Sequence, residues 1–270
     1  MQAAEGGGVV RERGVAVADP LLDARDLVKH YGGVEALRGA SFTAYAGEVV
    51  SLIGDNGAGK STLVKCLSGV ERPDSGTVAF DGRPVELDSP VAARALGIET
   101  VFQDLAVAPD LDPAANLFLG RELRKPGVLG WLGVLDKKEM RRRAIGSFDD
   151  LGVTLQSIDV PIGSLSGGQR QSVAVARSVV WASKLVFMDE PTAALGVVQR
   201  ERVLDVIRRV RDQGMAVVLI SHNMPEVLAV SDRVEVLRLG KRVARFRAAD
   251  TTVEELVGAM TGALSQEDAG

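Results

Sequence analysis

The fold is decided by residues 48–67, which read Glu48-Val-Val-Ser-Leu-Ile53, then Gly54-Asp-Asn-Gly-Ala-Gly59-Lys60-Ser61, then a helical run to Leu67. The first part is a strand-sized apolar run, and the second fits the pattern G-x-x-x-x-G-K-[ST]. Glycines let backbone N–H groups converge on phosphate oxygens, and the helix N-terminus adds its positive dipole end. This order predicts a phosphate loop for a nucleoside triphosphate, and it leaves kinase, GTPase and transport ATPase open.

Further strand-sized apolar runs alternate with helical patterns along the chain. Lys184-Leu-Val-Phe-Met188 precedes a helical run over 197–211, and an apolar run over 216–221 precedes a helical run over 224–230. Continuous hydrophobicity in such short strands indicates a sheet covered on both faces, and the alternation indicates parallel βαβ connections. The residues therefore predict an α/β core.

The hydrophobic pattern changes over residues 104–164, which contain no strand-sized apolar runs. Helical patterns over 114–119 and 136–151 predict a helical lobe inserted into the α/β core. Pro126-Gly127 and Gly130 predict a turn-rich link between these two helices. The second pattern carries five basic residues within 137–143, a run that usually forms a solvated helix face. Neither of the two tryptophans has a role that follows from the sequence.

The composition narrows the class of protein. The chain has 270 residues, of which 46% are apolar and 25% charged, as in an ordinary globular protein. Its net charge of −4 argues against broad coating of nucleic acid or of an anionic membrane. The single cysteine, Cys66, excludes an internal disulfide framework and a cysteine-based zinc cluster, and it is interpreted as a packing residue. The longest apolar runs fall far short of the roughly 20 residues that span a bilayer, so we expect work at a membrane only through a spanning partner.

Two carboxylates, Asp189 and Glu190, end the strand-like run that begins at Leu185. Beside a phosphate loop, this pair predicts a water-mediated Mg²⁺ ligand in Asp189. It also predicts that Glu190 orients and polarises the attacking water. The alternative interpretation is a helix-capping acid pair after a strand.

The discriminating element is Leu165-Ser-Gly-Gly-Gln169, which is followed by a helical run. Here the sequence resembles the ATP-binding cassette (ABC) family, over about residues 22–260. Other family motifs appear in the same order. Tyr31 matches the aromatic residue that stacks on adenine, Gln103 the glutamine at the entrance to the helical lobe, and His222 the switch histidine after a strand.

The resemblance implies an α/β fold with a P-loop NTPase (RecA-like) core, an antiparallel β subdomain and an inserted α-helical subdomain. Composition predicts a flexible N-terminal tail at residues 1–19, and the resemblance implies a single nucleotide-binding domain over 20–265. Within that domain the expected core covers 20–103 and 165–265, and the expected helical subdomain covers 104–164.

The resemblance also implies ATP and Mg²⁺ as ligands and carries functional roles to individual residues. The residues implied in hydrolysis are Glu190, His222, Gln103 and Lys60. The residues implied in Mg²⁺ ligation are Ser61, Gln103 and Asp189. The residues implied in nucleotide binding are Tyr31, Gly54, Asp55, Asn56, Gly57, Ala58, Gly59, Lys60, Ser61, Thr62, Ser166, Gly167, Gly168 and Gln169.

The Ser166–Gln169 element places permissive glycines at a helix N-terminus, which suits phosphate. In the family it closes over the nucleotide of the opposite protomer, so the resemblance implies a homodimer that encloses two ATP molecules. One departure bears on this: Ala193-Ala-Leu-Gly196 stands where the family usually has Ser-Ala-Leu-Asp. The missing aspartate contacts the opposite phosphate loop in the family, so its loss weakens the argument for tight cross-talk between the sites.

Within the family, the finer resemblance is to ATPase subunits of bacterial importers for monosaccharides such as ribose, xylose and fructose. It implies a peripheral protein at the cytoplasmic face of the inner (plasma) membrane, docked beneath a membrane-spanning permease. An extracytoplasmic solute-binding protein would select the sugar, and no nucleic acid is an expected partner. The stretches that carry this resemblance are Tyr31–Leu37, Gly54–Gly59, Gln103–Ala106, Asn116–Glu122, Pro191–Gly196 and Ser221–Met224.

Several other functions are weighed against this one. An importer subunit for another solute, such as branched-chain amino acids, is the nearest alternative. A soluble, non-transport ABC ATPase would carry two cassettes, a coiled-coil insertion or basic extensions, and this sequence has none of these. A binding module without turnover would lack Glu190 or His222, and a small-molecule kinase would leave Leu165–Gln169 unexplained.

Overall fold

The computed structural model describes residues 19–101, 107–193 and 195–263. Its strands, in chain order, are β1 (Leu22–Tyr31), β2 (Val34–Ala44), β3 (Val49–Ile53), β4 (Ser75–Phe80), β5 (Arg83–Pro84), β6 (Ile98–Val101), β7 (Leu185–Asp189), β8 (Ala216–Ile220), β9 (Arg233–Arg238) and β10 (Lys241–Arg247). Its α-helices are α1 (Lys60–Leu67), α2 (Pro90–Ala95), α3 (Pro113–Leu117), α4 (Val128–Trp131), α5 (Lys137–Asp150), α6 (Gly167–Trp181), α7 (Val197–Asp212), α8 (Met224–Val230) and α9 (Val253–Thr261).

The strands form two sheets. The larger sheet has the order β10-β9-β3-β8-β7-β6, and its strands run parallel except for β10, which pairs antiparallel with β9. The smaller sheet is antiparallel, with the order β2-β1-β4-β5. The predicted parallel core is confirmed, and β3 brings the phosphate loop to the carboxyl edge of its centre, where ligands bind in open α/β sheets.

The core lies on both faces of the larger sheet because successive side chains of a strand point to opposite faces. In β8, Val217 and Leu219 pack in the cluster that contains Val203 and Ile207 of α7. The alternate residues of the same strand pack in the cluster that contains α1 and the smaller sheet. All residues of β3 and β8 are buried, as their continuous hydrophobicity predicts.

The region between β6 and α6 is helical in its described part, with α3, α4 and α5 and one isolated β-bridge from Arg124 to Leu135. This matches the expectation of a helical lobe, and the division at residues 104 and 164 stays a prediction. The turn-rich stretch between the two expected helices contains α4. The predicted tail falls almost entirely on residues outside the described ranges. No described helix combines the length and the apolar character needed to cross a bilayer.

Candidate active site

The phosphate loop joins the buried end of β3 to the start of α1. A side chain at Gly54 would overlap the carbonyl oxygen of Leu237 in the neighbouring strand β9. A Cβ at Gly59, which has φ +102°, would lie 2.7 Å from the carbonyl oxygen of Ala36. Both positions therefore require glycine, because backbone from other strands closes on the loop.

Lys60 lies at the first position of α1, and its side chain folds back onto the start of the phosphate loop. Its Nζ donates to the carbonyl oxygen of Gly54 at 2.6 Å and to that of Asp55 at 3.0 Å. Burial lowers the pKa of the Lys60 ammonium group, and the charges of Glu190 and Asp189 act in the opposite direction. The structure thus brings the phosphate loop and the paired carboxylates to one place, as the sequence predicted from motifs about 130 residues apart.

The two carboxylates and the histidine follow neighbouring parallel strands, β7 and β8. The His222 ring Nδ1 lies 2.7 Å from Oε1 of Glu190, whose side chain is 14% exposed, whereas that of His222 is 76% exposed. This distance is that of a hydrogen bond, and a carboxylate can pair only with a histidine tautomer that carries a proton on Nδ1. Burial, followed by the charge of Glu190, raises the pKa of the Asp189 carboxyl group.

The backbone fixes the Glu190 side chain in place. Glu190 has φ +51°, a conformation that non-glycine residues rarely adopt. Its N–H donates to the carbonyl oxygen of Ile220 at 2.9 Å, and its carbonyl oxygen accepts from the N–H of Ala193 at 3.1 Å. Such strained positions cluster at functional sites, where the surrounding structure holds them.

The Ser166–Gln169 element begins α6. Ser166 caps the helix, and its side chain and that of Gln169 form a reciprocal capping box. A side chain at Gly168 would overlap Gln199 of α7, so close helix packing explains this glycine, while Gly167 faces open space. Among the described residues, no hydrogen bond joins this element to the phosphate loop of the same chain. Ser166, Gly168 and Gln169 instead line a cavity of about 250 Å³ together with Gln199 and Arg202 of α7.

Of the other predicted site residues, Tyr31, Ser61 and residues 55–57 lie around the phosphate loop. Tyr31 ends β1 and is 40% exposed. Partial burial raises the pKa of the Tyr31 hydroxyl group, and a side-chain hydrogen bond with Thr62 acts in the opposite direction. Because Thr62 belongs to the first turn of α1, this contact places Tyr31 beside that turn. Ser61 is exposed in the same turn, and residues 55–57 are exposed along the rim of the loop. Gln103 lies outside the described residues.

Comparison with known proteins gives the family. A family model described as ABC transporter matches residues 37–193. The chain belongs to the ABC transporter family. The expected family is thereby confirmed, and the chain is an ATP-binding cassette and a transport-coupled ATPase.

Two curated relatives align over nearly the whole cassette. The fructose import ATP-binding protein of Rhizobium meliloti is 51% identical over 247 residues, which cover 91% of this chain and 95% of that protein. The xylose/arabinose import ATP-binding protein of Sulfolobus acidocaldarius is 45% identical over 241 residues, which cover 89% of this chain and 94% of that protein.

The expected fold is confirmed by a solved structure. A nucleotide-free ATP-binding cassette from an ABC transporter superposes with a TM-score of 0.76 at 26% identity, covering 90% of this chain and 96% of that chain.

The cassette also contains a buried cluster that sequence reasoning did not find. Glu226 of α8 is buried and accepts from Thr192 Oγ1 at 2.6 Å and from Asn223 Nδ2 at 2.9 Å. The Nε of Arg200 in α7 lies 2.6 Å from the same carboxylate. Glu226 therefore ties the loop after Glu190 to the loop after the histidine. The spacing Asn223-Met-Pro-Glu226 signals a helix start, but nothing local signals the contact with Thr192.

Glu226→Gln should lower the kcat for ATP hydrolysis about tenfold to hundredfold, since small displacements of a catalytic group cost about this much. The KM for ATP should change little, because the cluster does not touch the phosphate loop. Steady-state kinetics and thermal unfolding measure both effects, with Glu254→Gln, an exposed glutamate of α9, as the matched control. A lower kcat accompanied by a lower thermal stability and an altered KM would show that Glu226 only supports the fold.

Proposed function

We propose that the cassette is the ATP-binding and ATP-hydrolysing subunit that powers import of a monosaccharide. The observation that carries the proposal is the convergence of Lys60 of the phosphate loop with Asp189 and the Glu190–His222 pair. Relatives that import fructose and xylose or arabinose support a sugar as the solute.

In the proposed reaction the phosphate loop holds the triphosphate through its backbone N–H groups. Lys60 exchanges its bonds to the two loop carbonyls for bonds to the β- and γ-phosphates. Tyr31 offers its exposed ring to the adenine base. The helix α1 points its N-terminus at the phosphates and stabilises their negative charge.

The donors present fit Mg²⁺ carried by the nucleotide. The described residues hold no group of three or more His, Cys, Asp or Glu side chains that would enclose a metal. Mg²⁺ usually takes only one or two protein oxygens and keeps its waters and substrate phosphates. The Ser61 hydroxyl and the Asp189 carboxylate would supply those oxygens, with Gln103 as the further ligand implied by the family. When bound, the ion neutralises phosphate charge.

The cleavage step belongs to Glu190 and His222. Glu190 orients the attacking water and accepts its proton, and the 2.7 Å bond to the imidazole keeps the carboxylate in that position. The water oxygen bonds to the γ-phosphorus while the bond to the oxygen that bridges the β- and γ-phosphates breaks, and ADP leaves. His222 is exposed beyond the carboxylate, where it contacts the γ-phosphate once the site is closed.

The site is completed by a second copy of the cassette. Because Ser166–Gln169 makes no hydrogen bond to its own phosphate loop within the described ranges, we infer that it closes over the partner's nucleotide. The homodimer docks beneath a membrane-spanning permease at the cytoplasmic face of the membrane. An extracytoplasmic solute-binding protein delivers the sugar, and the groove between the core and the helical subdomain, near Gln103, carries the permease contact.

The ATP hydrolysis rate of the purified cassette tests the proposal. The rate per cassette should rise with protein concentration, because two copies form each pair of sites. Lys60→Ala should lower the rate about a hundredfold or more, since phosphate charge then lacks its cationic partner. Lys65→Ala, an exposed lysine of the same helix, is the control. A Lys60→Ala variant with full activity contradicts the proposal.

Gly196→Asp should change the Hill coefficient of ATP hydrolysis more than the affinity for ATP. Gly196 caps α7 with φ −69° and ψ 165°, a conformation that aspartate adopts readily, so the variant restores an acid near the dimer face without backbone strain. Gly196→Asn is the matched control, because it caps the helix without the charge. A Hill coefficient equal to that of the wild type in a steady-state assay rejects this prediction.

A further inference from the structure

An apolar hairpin projects from the helical region next to α5. We define the Trp131 hairpin as residues 124–138, whose base is closed by the Arg124–Leu135 bridge. The N–H of Lys125 donates to the carbonyl oxygen of Val134 at 2.9 Å and completes the closure. The tip, residues 126–135, contains no polar side chain. Its exposed side chains are Val128, Leu129, Trp131, Leu132 and Val134, with Trp131 84% exposed.

The hairpin is a defined structure. The backbone N–H groups of residues 130–134 all donate within the tip, to carbonyl oxygens of residues 127–130. A side chain at Gly130 would overlap the carbonyl oxygen of Lys125, so glycine is required for this tight turn. A segment that enters an apolar phase must satisfy its backbone groups internally, and this tip does so for those five donors.

Positive charge surrounds the apolar tip. Residues 121–143 hold eight basic and three acidic side chains, a net charge of +5 in a chain whose net charge is −4. Several of these cations are paired, as Arg141 is with Asp159. Among the basic residues of 121–143, all of which the structure describes, four are exposed and form no ion pair: Arg124, Lys125, Lys137 and Lys138, at the two ends of the hairpin.

We infer that the Trp131 hairpin is a membrane-surface anchor that inserts its apolar tip among the headgroups of an anionic bilayer. Tryptophan prefers the membrane–water interface, where the aliphatic neighbours reach the acyl boundary. The lysines at the hairpin ends hold the anionic headgroups. This contact is additional to the permease contact of the proposed function, and it would orient the cassette on the membrane.

Vesicle co-sedimentation of the full chain tests this inference, without permease or nucleotide. The wild type should bind vesicles of equimolar phosphatidylcholine and phosphatidylglycerol, and binding to phosphatidylcholine alone should be weaker. The double variant Trp131→Ser, Leu132→Ser should bind vesicles about tenfold more weakly or worse, because two large apolar side chains are then no longer buried in the bilayer. Lys137→Gln and Lys138→Gln should each weaken vesicle binding about fivefold, because each substitution removes one positive charge at the membrane surface. Val91→Ser, an exposed valine of α2, should bind as the wild type does.

Three further readouts make the result decisive. Trp131 emission should shift to the blue on vesicle binding, thermal unfolding should be unchanged in the variants, and ATP hydrolysis should be unchanged as well. Absent vesicle binding, or binding that survives the Trp131 and Leu132 substitutions, overturns the inference. A change of oligomeric state in the double variant without vesicle binding also overturns it, since the tip would then pair with a second copy. Failure of the proposed function would appear separately, as lost ATP hydrolysis in the wild type.

Discussion

The Glu190→Gln cassette should hydrolyse ATP about 10²–10⁴-fold more slowly than the wild type, the usual contribution of a positioned general base. Glutamine keeps the size of the side chain and accepts the hydrogen bond from His222, so the geometry of the site is preserved. ATP affinity should stay within about threefold, because Lys60 and the loop backbone hold the phosphates. Steady-state hydrolysis and a fluorescent-nucleotide titration measure the two quantities.

The control for this prediction is Glu201→Gln, an exposed glutamate of α7 that should leave hydrolysis unchanged. His222→Ala should also lose activity, and the double variant with Glu190→Gln should lose little more than either single variant, because residues that act as a unit are not additive. A Glu190→Gln cassette that keeps more than about a tenth of wild-type turnover would show that another group acts as the base.

The Glu235→Ala cassette should lose about 3–5 kcal/mol of unfolding free energy, the cost of removing one partner from a buried ion pair. The Glu235 side chain is 1% exposed and contacts Arg233 directly, with Arg245 Nη2 at 2.9 Å. Thr43 Oγ1 of β2 donates to the same carboxylate at 3.2 Å. Burial alone would lower the pKa of Arg233, but Glu48 and Glu235 outweigh it and raise the pKa. The cluster joins the smaller sheet to β9 and β10. Alanine would leave the buried guanidinium group of Arg233 with Glu48 alone as its carboxylate partner, and it would remove the shared partner of Arg245.

Urea unfolding at neutral pH checks this prediction through the transition midpoint. Glu235→Gln keeps one acceptor oxygen for Arg233, Arg245 and Thr43, and it loses the charge and the bond from Arg242 to the second oxygen. It should lose less than alanine does, so it gives a measurable value even where the alanine variant does not fold. Glu201→Ala removes an exposed carboxylate and should cost no more than about 1 kcal/mol. A Glu235→Ala midpoint equal to that of the wild type would mean that the cluster contributes nothing to the junction of the sheets.

The parts of the fold that the sequence predicts are those with local signals. The phosphate loop, the Asp189–Glu190 pair and His222 each lie at the end of a short, buried, apolar strand, and strand order then brings them together. Strand β1 has mixed burial and pairs through irregular register, so its residues carry a weaker pattern. The helix α6 begins at Gly167, before the helical run that the sequence indicated, because the capping box includes both glycines.

Contacts between distant residues were not predictable. Thr43 and Glu235 are 192 positions apart, and Thr192 and Glu226 are 34 apart, so no periodicity connects them. Residues 126–130 were expected to form a turn-rich link, and the backbone bonds of the tip confirm tight turns there. The exposure of Trp131 had no signal in the sequence. Gly54 and Gly59 of the phosphate loop are required by backbone from other strands, which a local pattern does not reveal.

Uptake of labelled monosaccharides by cells of the source organism tests the central claim most directly. Three strains would carry, in place of the native gene, the wild-type cassette, Lys60→Ala, or Lys65→Ala as the matched control, with equal amounts of protein. Lys60→Ala should selectively abolish uptake of one sugar of the panel, while Lys65→Ala should not. Uptake of every sugar at the wild-type rate in the Lys60→Ala strain, with redundant importers deleted, would contradict monosaccharide import and leave only the ATPase.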